Sequence, residues 1–357
     1  MSYFSFDNIE IAGVSAAVPA QEITVDSFKQ VFGEDIVERF KSNVGVKSFR
    51  RVLKDQTASD LGYVAAEDLL KKLSFDRRNI GLLTYVSLSQ DYLRPATACV
   101  LQYRLGLESS CAAFDIGMGC SGFVYGLQVT SSVMQNSDIE WALMLCCESA
   151  NQLMYPKDRS TAMLIGDAGT AILLHKAEGH CIRGLLGTDG KYYQAAVVPA
   201  GGFRHRDAPS GEFKNEEGIC RTNYHYLMNG LDIFSYSVSD VPKAISEFLR
   251  LSDTDINDYQ ALLLHQANQI IISRLIRKLG YKSGDVPVSM DRFGNTSSAA
   301  IPLTVCSAYA DCKLKKKAIA CGFGTGLSYG VTSFDLDTRN VFPIIETEET
   351  FDDGLIR

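Results

Sequence analysis

Cys120 stands at a position where a thiol could act as a nucleophile. It lies in the segment Asp115-Ile-Gly-Met-Gly-Cys-Ser-Gly-Phe123, where a strand-like apolar run meets two glycines and then a helix-like run. A cysteine at the start of a helix faces unpaired backbone N–H groups and the positive end of the helix dipole, and both favour the thiolate. Cysteine is also often buried as a small apolar residue, and this chain has ten. The pattern is therefore consistent with a nucleophile or with an inert core thiol.

Two later segments supply polar partners for this thiol. His265 ends an apolar, strand-like run, and Asn295 lies in a loop of small residues that reaches Pro302. Each has an ordinary structural interpretation, His265 as a hydrogen-bonded core histidine and Asn295 as the left-handed residue of a turn. Together with Cys120 they predict acyl transfer, in which a thiolate attacks one carbonyl and two side chains polarise another.

The motifs of this chain resemble those of the type III 3-oxoacyl-[acyl-carrier-protein] synthases of the thiolase-like superfamily. The resemblance spans nearly the whole chain and is carried by residues 43–46, 112–123, 158–159, 165–169, 265–268, 294–302 and 322–330. It implies that Cys120 is acylated and that His265 and Asn295 drive decarboxylation. It also implies an oxyanion hole formed by the backbone N–H groups of Cys120 and Thr325.

The resemblance implies an α/β architecture, the duplicated five-layered αβαβα thiolase fold. A chain of 357 residues and 39.2 kDa exceeds the usual size of one domain. We expect an N-terminal half over 1–176, a C-terminal half over 177–337, and a poorly ordered acidic extension over 338–357. Equal spacing from Gln90 to Cys120 and from His265 to Asn295 is consistent with internal duplication. Apolar strands alternating with helical runs independently favour α/β layering.

The composition of the chain indicates where the protein is located and which classes of partner it does not bind. The ten cysteines have no regular spacing, and residues 1–7 resemble no secretory signal, so we expect a cytoplasmic protein. No apolar run is long enough to span a bilayer, and a net charge of −7 gives no electrostatic basis for binding nucleic acid. No metal site is expected, because the remaining histidines lack partner ligands at suitable spacing; they are His175, His180, His205 and His225.

The resemblance also implies the substrates: coenzyme A or phosphopantetheine thioesters, malonyl-acyl carrier protein among them, and no cofactor. Arg159 matches one side of a clamp for the coenzyme A adenine, but Arg39 lies where the common members have a stacking tryptophan. Delivery of the primer acyl group by coenzyme A or by the carrier is therefore open. Arg94 precedes Pro95, where a phenylalanine of the family often crosses a homodimer interface into the primer pocket.

An acidic acyl carrier protein is the expected partner, although Ile270 replaces a basic residue often used to dock it. Arg274, Arg277 and Lys278 share one face of the helix that begins near Asn268. The candidate substrate- and carrier-binding residues are therefore these three together with Asn268, Arg94 and Arg159. A solvated helix face is the alternative interpretation. The segment 199–226 is longer than the family minimum and is expected to form a pocket or lid loop.

The predicted reaction is decarboxylative condensation of an acyl primer with malonyl-acyl carrier protein, in fatty acid or related acyl-chain biosynthesis. Three alternatives remain. A 3-hydroxy-3-methylglutaryl-coenzyme A synthase would need an acidic base in the first half, for which Asp91 is an imperfect candidate. A non-decarboxylating acyltransferase would be expected to alter His265 or Asn295, and a silent partner subunit would be expected to lose Cys120.

Overall fold

A computed structural model describes residues 2–282 and 284–355 of the chain. Its strands are β1 (Ser2–Pro19), β2 (Glu22–Thr24), β3 (Ser48–Arg50), β4 (Ile80–Val86), β5 (Ala112–Ile116), β6 (Trp141–Glu148), β7 (Ala168–Thr188), β8 (Ala196–Val197), β9 (Phe213–Lys214), β10 (Cys220–Arg221), β11 (Leu227–Met228), β12 (Ala261–Leu264), β13 (Lys315–Gly324), β14 (Ser328–Asp337) and β15 (Ile345–Thr347). Its helices are α1 (Lys29–Phe32), α2 (Glu34–Val44), α3 (Ala58–Lys72), α4 (Thr97–Arg104), α5 (Gly122–Gln135), α6 (Gly230–Ser252), α7 (Gln269–Leu279), α8 (Met290–Phe293) and α9 (Ala300–Tyr309).

The two longest strands, β1 and β7, pair antiparallel and run through both parts of the main sheet. On the other edge of β7, residues 168–175 pair with β6 and residues 183–188 pair with β14. One part of the sheet thus continues through β6, β4 and β5, and the other continues through β14, β13 and β12. The predicted boundary after residue 176 lies inside β7, between these two pairings, and the division into halves stays a prediction.

Helices cover both parts of the sheet and fill the space between them. The buried core between the two parts includes Phe123 and Leu127 of α5 and Leu303 of α9. A second core joins α6 and α7 to β12 and β13, and a third joins α3 and α4 to β4 and β6. Helices α3 and α4 therefore cover one part of the sheet, α5 and α9 lie between the two parts, and α6 and α7 cover the other part. The α/β layering predicted from alternating strands and helices is confirmed.

Parallel strands bring the ends of distant segments to one region. β4 pairs in parallel with both β5 and β6, and β12 pairs in parallel with β13. The carboxyl ends of parallel strands lie at the same edge of a sheet, so the residues that follow them are neighbours in space. The loop before Cys120 follows β5, Glu148 ends β6, and His265 follows β12. This topology places three chemically reactive side chains at strand ends.

The acidic C-terminal segment is packed onto the fold as far as Glu349, so the expectation of a poorly ordered tail over 338–357 is wrong for that part; residues 356–357 lie outside the described residues. Residues 345–347 form β15, which pairs in parallel with the end of β1. Glu346 pairs with Arg50 at 2.6 Å, and the amide of Gln56 donates to the backbone oxygens of Thr347 and Glu349. The acidic composition predicted disorder, but backbone pairing and these polar contacts order the segment. Within residues 2–282 and 284–355, no helix is long and apolar enough to cross a membrane.

Candidate active site

A cavity of about 450 Å³ brings the predicted acyl-transfer residues together. Cys120, His265 and Asn295 all line it, and Thr325 lies at its wall. Much of the remaining lining is apolar and comes from both halves of the chain, including Leu164, Ile165, Ala196, Met228, Ile233 and Phe323. A largely apolar cavity with a few convergent polar groups is the usual form of a small-molecule site.

Close backbone packing fixes the position of Cys120. The thiol lies between β5 and α5, two residues before the first residue of that helix. A Cβ atom at Gly324 would lie 2.7 Å from Cys120 Cβ and 2.9 Å from its Sγ, and Gly324 has a φ of +153°. A Cβ atom at Gly322 would lie 2.8 Å from the backbone oxygen of Cys120. Glycine is therefore needed at both positions, because it lets β13 approach the nucleophile.

The Cys120 side chain is half-buried and has hydrogen-bonding groups around it. Burial raises the pKa of the thiol, and hydrogen bonding with the backbone N–H of Thr325 and with the Ser297 hydroxyl partly opposes this increase. The Cys120 backbone N–H adds a further opposing hydrogen bond. The two backbone donors predicted to form an oxyanion hole thus face the sulfur, beside the position that a thioester carbonyl under attack would take.

His265 is fully buried and uncharged in this environment. Burial lowers the pKa of its imidazole to about 3. Its backbone N–H donates to Cys321 at 2.9 Å, and its ring packs edge-on against Phe323 with centroids 5.5 Å apart. Within the part of the chain that the structure describes, the buried Nδ1 atom has no hydrogen-bond partner. A neutral imidazole at a cavity wall can donate one hydrogen bond to a developing oxyanion.

Asn295 is held by its backbone and by its side-chain oxygen. Its N–H donates to Leu164 at 2.8 Å, and its Oδ1 accepts a hydrogen bond from the Ser297 N–H at 3.0 Å. The left-handed residue of this turn is Ser297, with a φ of 52°, so the interpretation of Asn295 as the left-handed residue is wrong. Asn295 instead stabilises the turn by accepting the hydrogen bond from the Ser297 N–H. The amide nitrogen of Asn295 is left as the group that can donate.

The sequence interpretation missed a buried carboxyl in the cavity wall. Glu148 is 1% exposed and ends β6, and its carboxyl accepts hydrogen bonds from Ser89 Oγ at 2.8 Å and Ser297 Oγ at 3.3 Å. Burial raises its pKa to about 8. One signal could have identified it, because Glu148 is a lone charged residue that ends an apolar run, as His265 does. Asp91, the acidic candidate named from the sequence, is not among the residues that line this cavity.

The ends of the long segment 199–226 contribute to the cavity. Ala200 and Gly202 line it, and so does Tyr226, whose hydroxyl lies 3.2 Å from Thr325 Oγ1. Short pairing between β8 and β11 closes this wall, and the exposed hairpin of β9 and β10 lies beyond it. The expectation of a pocket loop is confirmed for its two ends.

The structure places the other predicted binding residues outside the cavity, with one exception. Asn268 lines the cavity, but its Oδ1 also accepts from the Ile271 N–H at 2.8 Å and so caps α7. Further along α7, an exposed basic face continues away from the cavity, formed by Arg274, Arg277 and Lys278. Arg94 and Arg159 are exposed and do not line the cavity within this chain.

Comparisons with known proteins agree with the motifs. Residues 114–190 match the family model of 3-oxoacyl-[acyl-carrier-protein (ACP)] synthase III, and residues 249–336 match the model of its C-terminal part. A beta-ketoacyl-[acyl-carrier-protein] synthase III of Xanthomonas campestris pv. campestris is 32% identical over 329 residues, covering 90% of this chain and 96% of the relative. One from Clostridium beijerinckii is 31% identical over 328 residues, covering 91% and 98%.

A solved structure extends the similarity to the fold. The 3-oxoacyl-(acyl-carrier protein) synthase of Burkholderia xenovorans LB400 superposes with a TM-score of 0.91 and 32% identity, covering 97% of this chain and 99% of that one. The predicted thiolase fold is thereby confirmed. With near-complete coverage by relatives above 30% identity, the chain belongs to the 3-oxoacyl-[acyl-carrier-protein] synthase III family of acyl-transferring condensing enzymes.

Proposed function

We propose that this enzyme condenses an acyl primer thioester with malonyl-acyl carrier protein, releases carbon dioxide, and forms a 3-oxoacyl-acyl carrier protein through an acyl-Cys120 intermediate. The observation that carries the proposal is the single cavity that holds Cys120, His265, Asn295 and Thr325. A nucleophile, two side-chain donors and a backbone donor are the set that this chemistry needs. The pathway is fatty acid or related acyl-chain biosynthesis.

The reaction has two steps with separate electrostatic needs. In the first, Cys120 attacks the primer thioester, and the backbone N–H groups of Cys120 and Thr325 stabilise the tetrahedral oxyanion. In the second, the malonyl group loses carbon dioxide, and the resulting enolate attacks the acyl-Cys120 carbonyl. His265 and the amide nitrogen of Asn295 stabilise the enolate oxygen. Because the thioester carries the acyl group, this scheme requires no metal or redox cofactor.

The size of the cavity supports a primer larger than acetyl. Its volume of about 450 Å³ is enclosed mainly by apolar side chains, which favour an acyl chain. Arg39, in place of the tryptophan that commonly stacks on adenine, weakens the case for coenzyme A delivery, although the Arg159 guanidinium could itself stack. We therefore propose that acetyl-coenzyme A is a poor primer and that a longer or carrier-bound acyl thioester is preferred.

A homodimer is supported by the open edge of the sheet. β5 is the last strand of its part of the sheet, and its residues are exposed or half-buried. Leu93 and Tyr103, in the loop before α4 and in α4, are 78% and 76% exposed. An unpaired strand edge flanked by apolar side chains favours pairing with a second copy.

Analytical ultracentrifugation tests the proposed homodimer. The wild type should sediment as a dimer, and the double variant Leu93→Glu with Tyr103→Glu should sediment as a monomer. A monomeric wild type would contradict the proposal.

Intact-protein mass spectrometry tests the proposed reaction directly. Wild-type protein is incubated with a panel of acyl-coenzyme A and acyl-carrier thioesters in equal amounts, and malonyl-acyl carrier protein is added afterwards. We expect Cys120 to gain the acyl mass and then to lose it as 3-oxoacyl product forms, while Cys120→Ala gains nothing. Acyl mass that maps to Cys111 or Cys146 would contradict the assigned nucleophile, and a clear preference for acetyl-coenzyme A would contradict the proposed primer.

We also propose a cytoplasmic location. All ten cysteines of the chain are free thiols, which supports a reducing compartment.

A further inference from the structure

Glu148 is a buried carboxyl that the reaction scheme above does not use. It lies in the wall of the Cys120 cavity and accepts three hydrogen bonds. Ser89 Oγ donates to its Oε2 at 2.8 Å, and the Leu88 N–H and Ser297 Oγ donate to its Oε1, each at 3.3 Å. Ser89 is held in turn by the Ser149 N–H at 3.1 Å. Buried carboxyls are rarely retained unless paired or functional, so this one requires an explanation.

Ser297 connects this carboxyl to the nucleophile. Its Oγ lies 3.9 Å from Cys120 Sγ and 3.3 Å from Glu148 Oε1. The backbone of Ser297 has a φ of 52°, a left-handed conformation that is unfavourable for a residue other than glycine. Glycine would remove this cost but would also remove the hydroxyl. A strained serine whose hydroxyl lies between a thiol and a carboxyl indicates that the hydroxyl itself is needed.

We propose that Glu148 accepts the Cys120 proton through Ser297 while the thiol is being acylated. This inference rests on the proposed function. As Cys120 Sγ bonds to the thioester carbonyl carbon, the Sγ proton moves to Ser297 Oγ and the Ser297 hydroxyl proton moves to Glu148 Oε1. The bond from that carbon to the carrier sulfur then breaks. The departing thiolate takes the proton back from Glu148 through Ser297, so a neutral thiol leaves and Glu148 is again a carboxylate.

The enclosure of the site explains why an internal proton acceptor is useful. A bound acyl thioester fills the cavity and excludes the water that would otherwise remove the proton. Burial keeps the pKa of the Cys120 thiol above its ordinary value, so few molecules hold a preformed thiolate near neutral pH. A hydrogen-bonded carboxylate lets proton loss accompany attack, as in general base catalysis.

The acceptor must be ionised, so acylation should depend on pH. Burial raises the pKa of Glu148 to about 8, and acylation should therefore rise with pH and level off above that value. The other titratable groups that face Glu148 should not change charge near pH 8. Burial lowers the pKa of His265 to about 3, so its imidazole is already neutral. Burial raises the pKa of the other neighbours above their ordinary values, so they stay protonated. These neighbours are Cys120 before α5, Tyr85 on β4, Cys146 and Cys147 on β6, and Tyr226 before β11.

Two variants and two reagents test the relay. Glu148→Gln keeps the shape but cannot accept a proton, and Ser297→Gly removes the hydroxyl at a position whose φ suits glycine. Single-turnover acylation by acyl-N-acetylcysteamine thioesters is followed by the mass gained on Cys120 from pH 6 to pH 9. Each variant should acylate about 10²-fold more slowly at pH 8 and lose the wild-type inflection.

Alkylation by iodoacetamide distinguishes a lost relay from a damaged site. Alkylation leaves the cavity open to water, which takes the proton, so Glu148→Gln should alkylate Cys120 at least as fast as wild type. Loss of a neighbouring negative charge should even favour the thiolate. Exposed Cys99 is the internal reference. Ser298→Ala is the matched control, because its hydroxyl donates to the Val86 oxygen at 3.1 Å, and it should keep the wild-type acylation profile.

The outcomes separate this inference from the function on which it rests. Wild-type rates and inflection in both variants would overturn the relay alone, and equal slowing of acylation and alkylation would assign Glu148 a purely structural role. If Glu148→Gln does not fold, Ser297→Gly decides by the same two readouts. Absence of any acyl gain on wild-type Cys120 would overturn the proposed function and the relay with it.

Discussion

The side-chain oxygen of Asn295 accepts a hydrogen bond from the backbone N–H of Ser297 at 3.0 Å. This contact commits one end of the amide to the turn and leaves the nitrogen end to donate into the cavity. It also holds Ser297 in the left-handed conformation that places its hydroxyl between Cys120 and Glu148. One short loop therefore supplies a donor for the condensation step and a proton path for the acylation step.

Replacing the two enolate donors should separate the half-reactions. In His265→Ala and Asn295→Asp, we expect acylation of Cys120 within a few-fold of wild type but release of carbon dioxide from malonyl-acyl carrier protein lowered about 10²–10³-fold. Aspartate keeps the oxygen that accepts from Ser297 but loses the amide donor. Acyl mass and carbon dioxide release are measured separately. Equal loss of both steps would instead make His265 a base for the thiol.

The decarboxylation step should be insensitive to pH where the acylation step is not. Because burial lowers the His265 pKa to about 3, the imidazole stays neutral from pH 5 to pH 9 and can donate throughout. We expect carbon dioxide release by pre-acylated enzyme to vary little over this range. A steep fall between pH 7 and pH 6 would show that His265 titrates near its ordinary value.

Gly324→Ala should disable the nucleophile. The new methyl carbon would lie 2.7 Å from Cys120 Cβ on a backbone with a φ of +153°, so either the thiol or β13 must move. We expect acylation to fall at least about 10²-fold and the melting temperature to fall, since a displacement near 1 Å can cost that much rate. Gly117→Ala, in the loop before Cys120 and with open space around it, is the control that should remain active. Full activity in Gly324→Ala would refute the packing argument.

Glu148→Gln should stabilise the fold in alkaline solution. The folded-state pKa of about 8 lies above the ordinary 4.5, so stability associated with this carboxyl is present below pH 4.5 and is lost as pH rises to about 8. Between pH 5 and pH 8 the wild type should lose roughly 3 kcal/mol that the variant keeps. Urea unfolding at both pH values measures the difference. Glu108→Gln, at an exposed carboxyl, is the control, and parallel curves for wild type and Glu148→Gln would contradict the raised pKa.

The basic face of α7 should matter for the carrier and not for the chemistry. We expect Arg274→Glu with Arg277→Glu to raise KM for malonyl-acyl carrier protein about tenfold or more, and to leave kcat with malonyl-N-acetylcysteamine unchanged. The effect should shrink as salt rises. Lys71→Glu, exposed on α3 in the opposite outer layer, is the charge-matched control. An unchanged KM would favour the solvated-face interpretation of these arginines.

The sequence was sufficient for the local features of the site. Glycines around Cys120, an apolar run ending in His265 and a loop of small residues around Asn295 are local patterns, and local patterns predict strand ends and turns. The family resemblance then related the three residues to one another and implied the thiolase fold. The strand-like run that ends in His265 is indeed a strand, β12 (Ala261–Leu264).

Only the tertiary structure decided which of the other side chains belong to the site. Glu148 and Ser297 are far apart in the chain, and their contact depends on how β6 and the loop before α9 pack across the middle helix layer. The same packing decides that Gly324 touches Cys120 and that the acidic tail pairs with β1. Composition cannot report such contacts, because a carboxyl becomes a cavity wall or a solvated surface group according to what covers it.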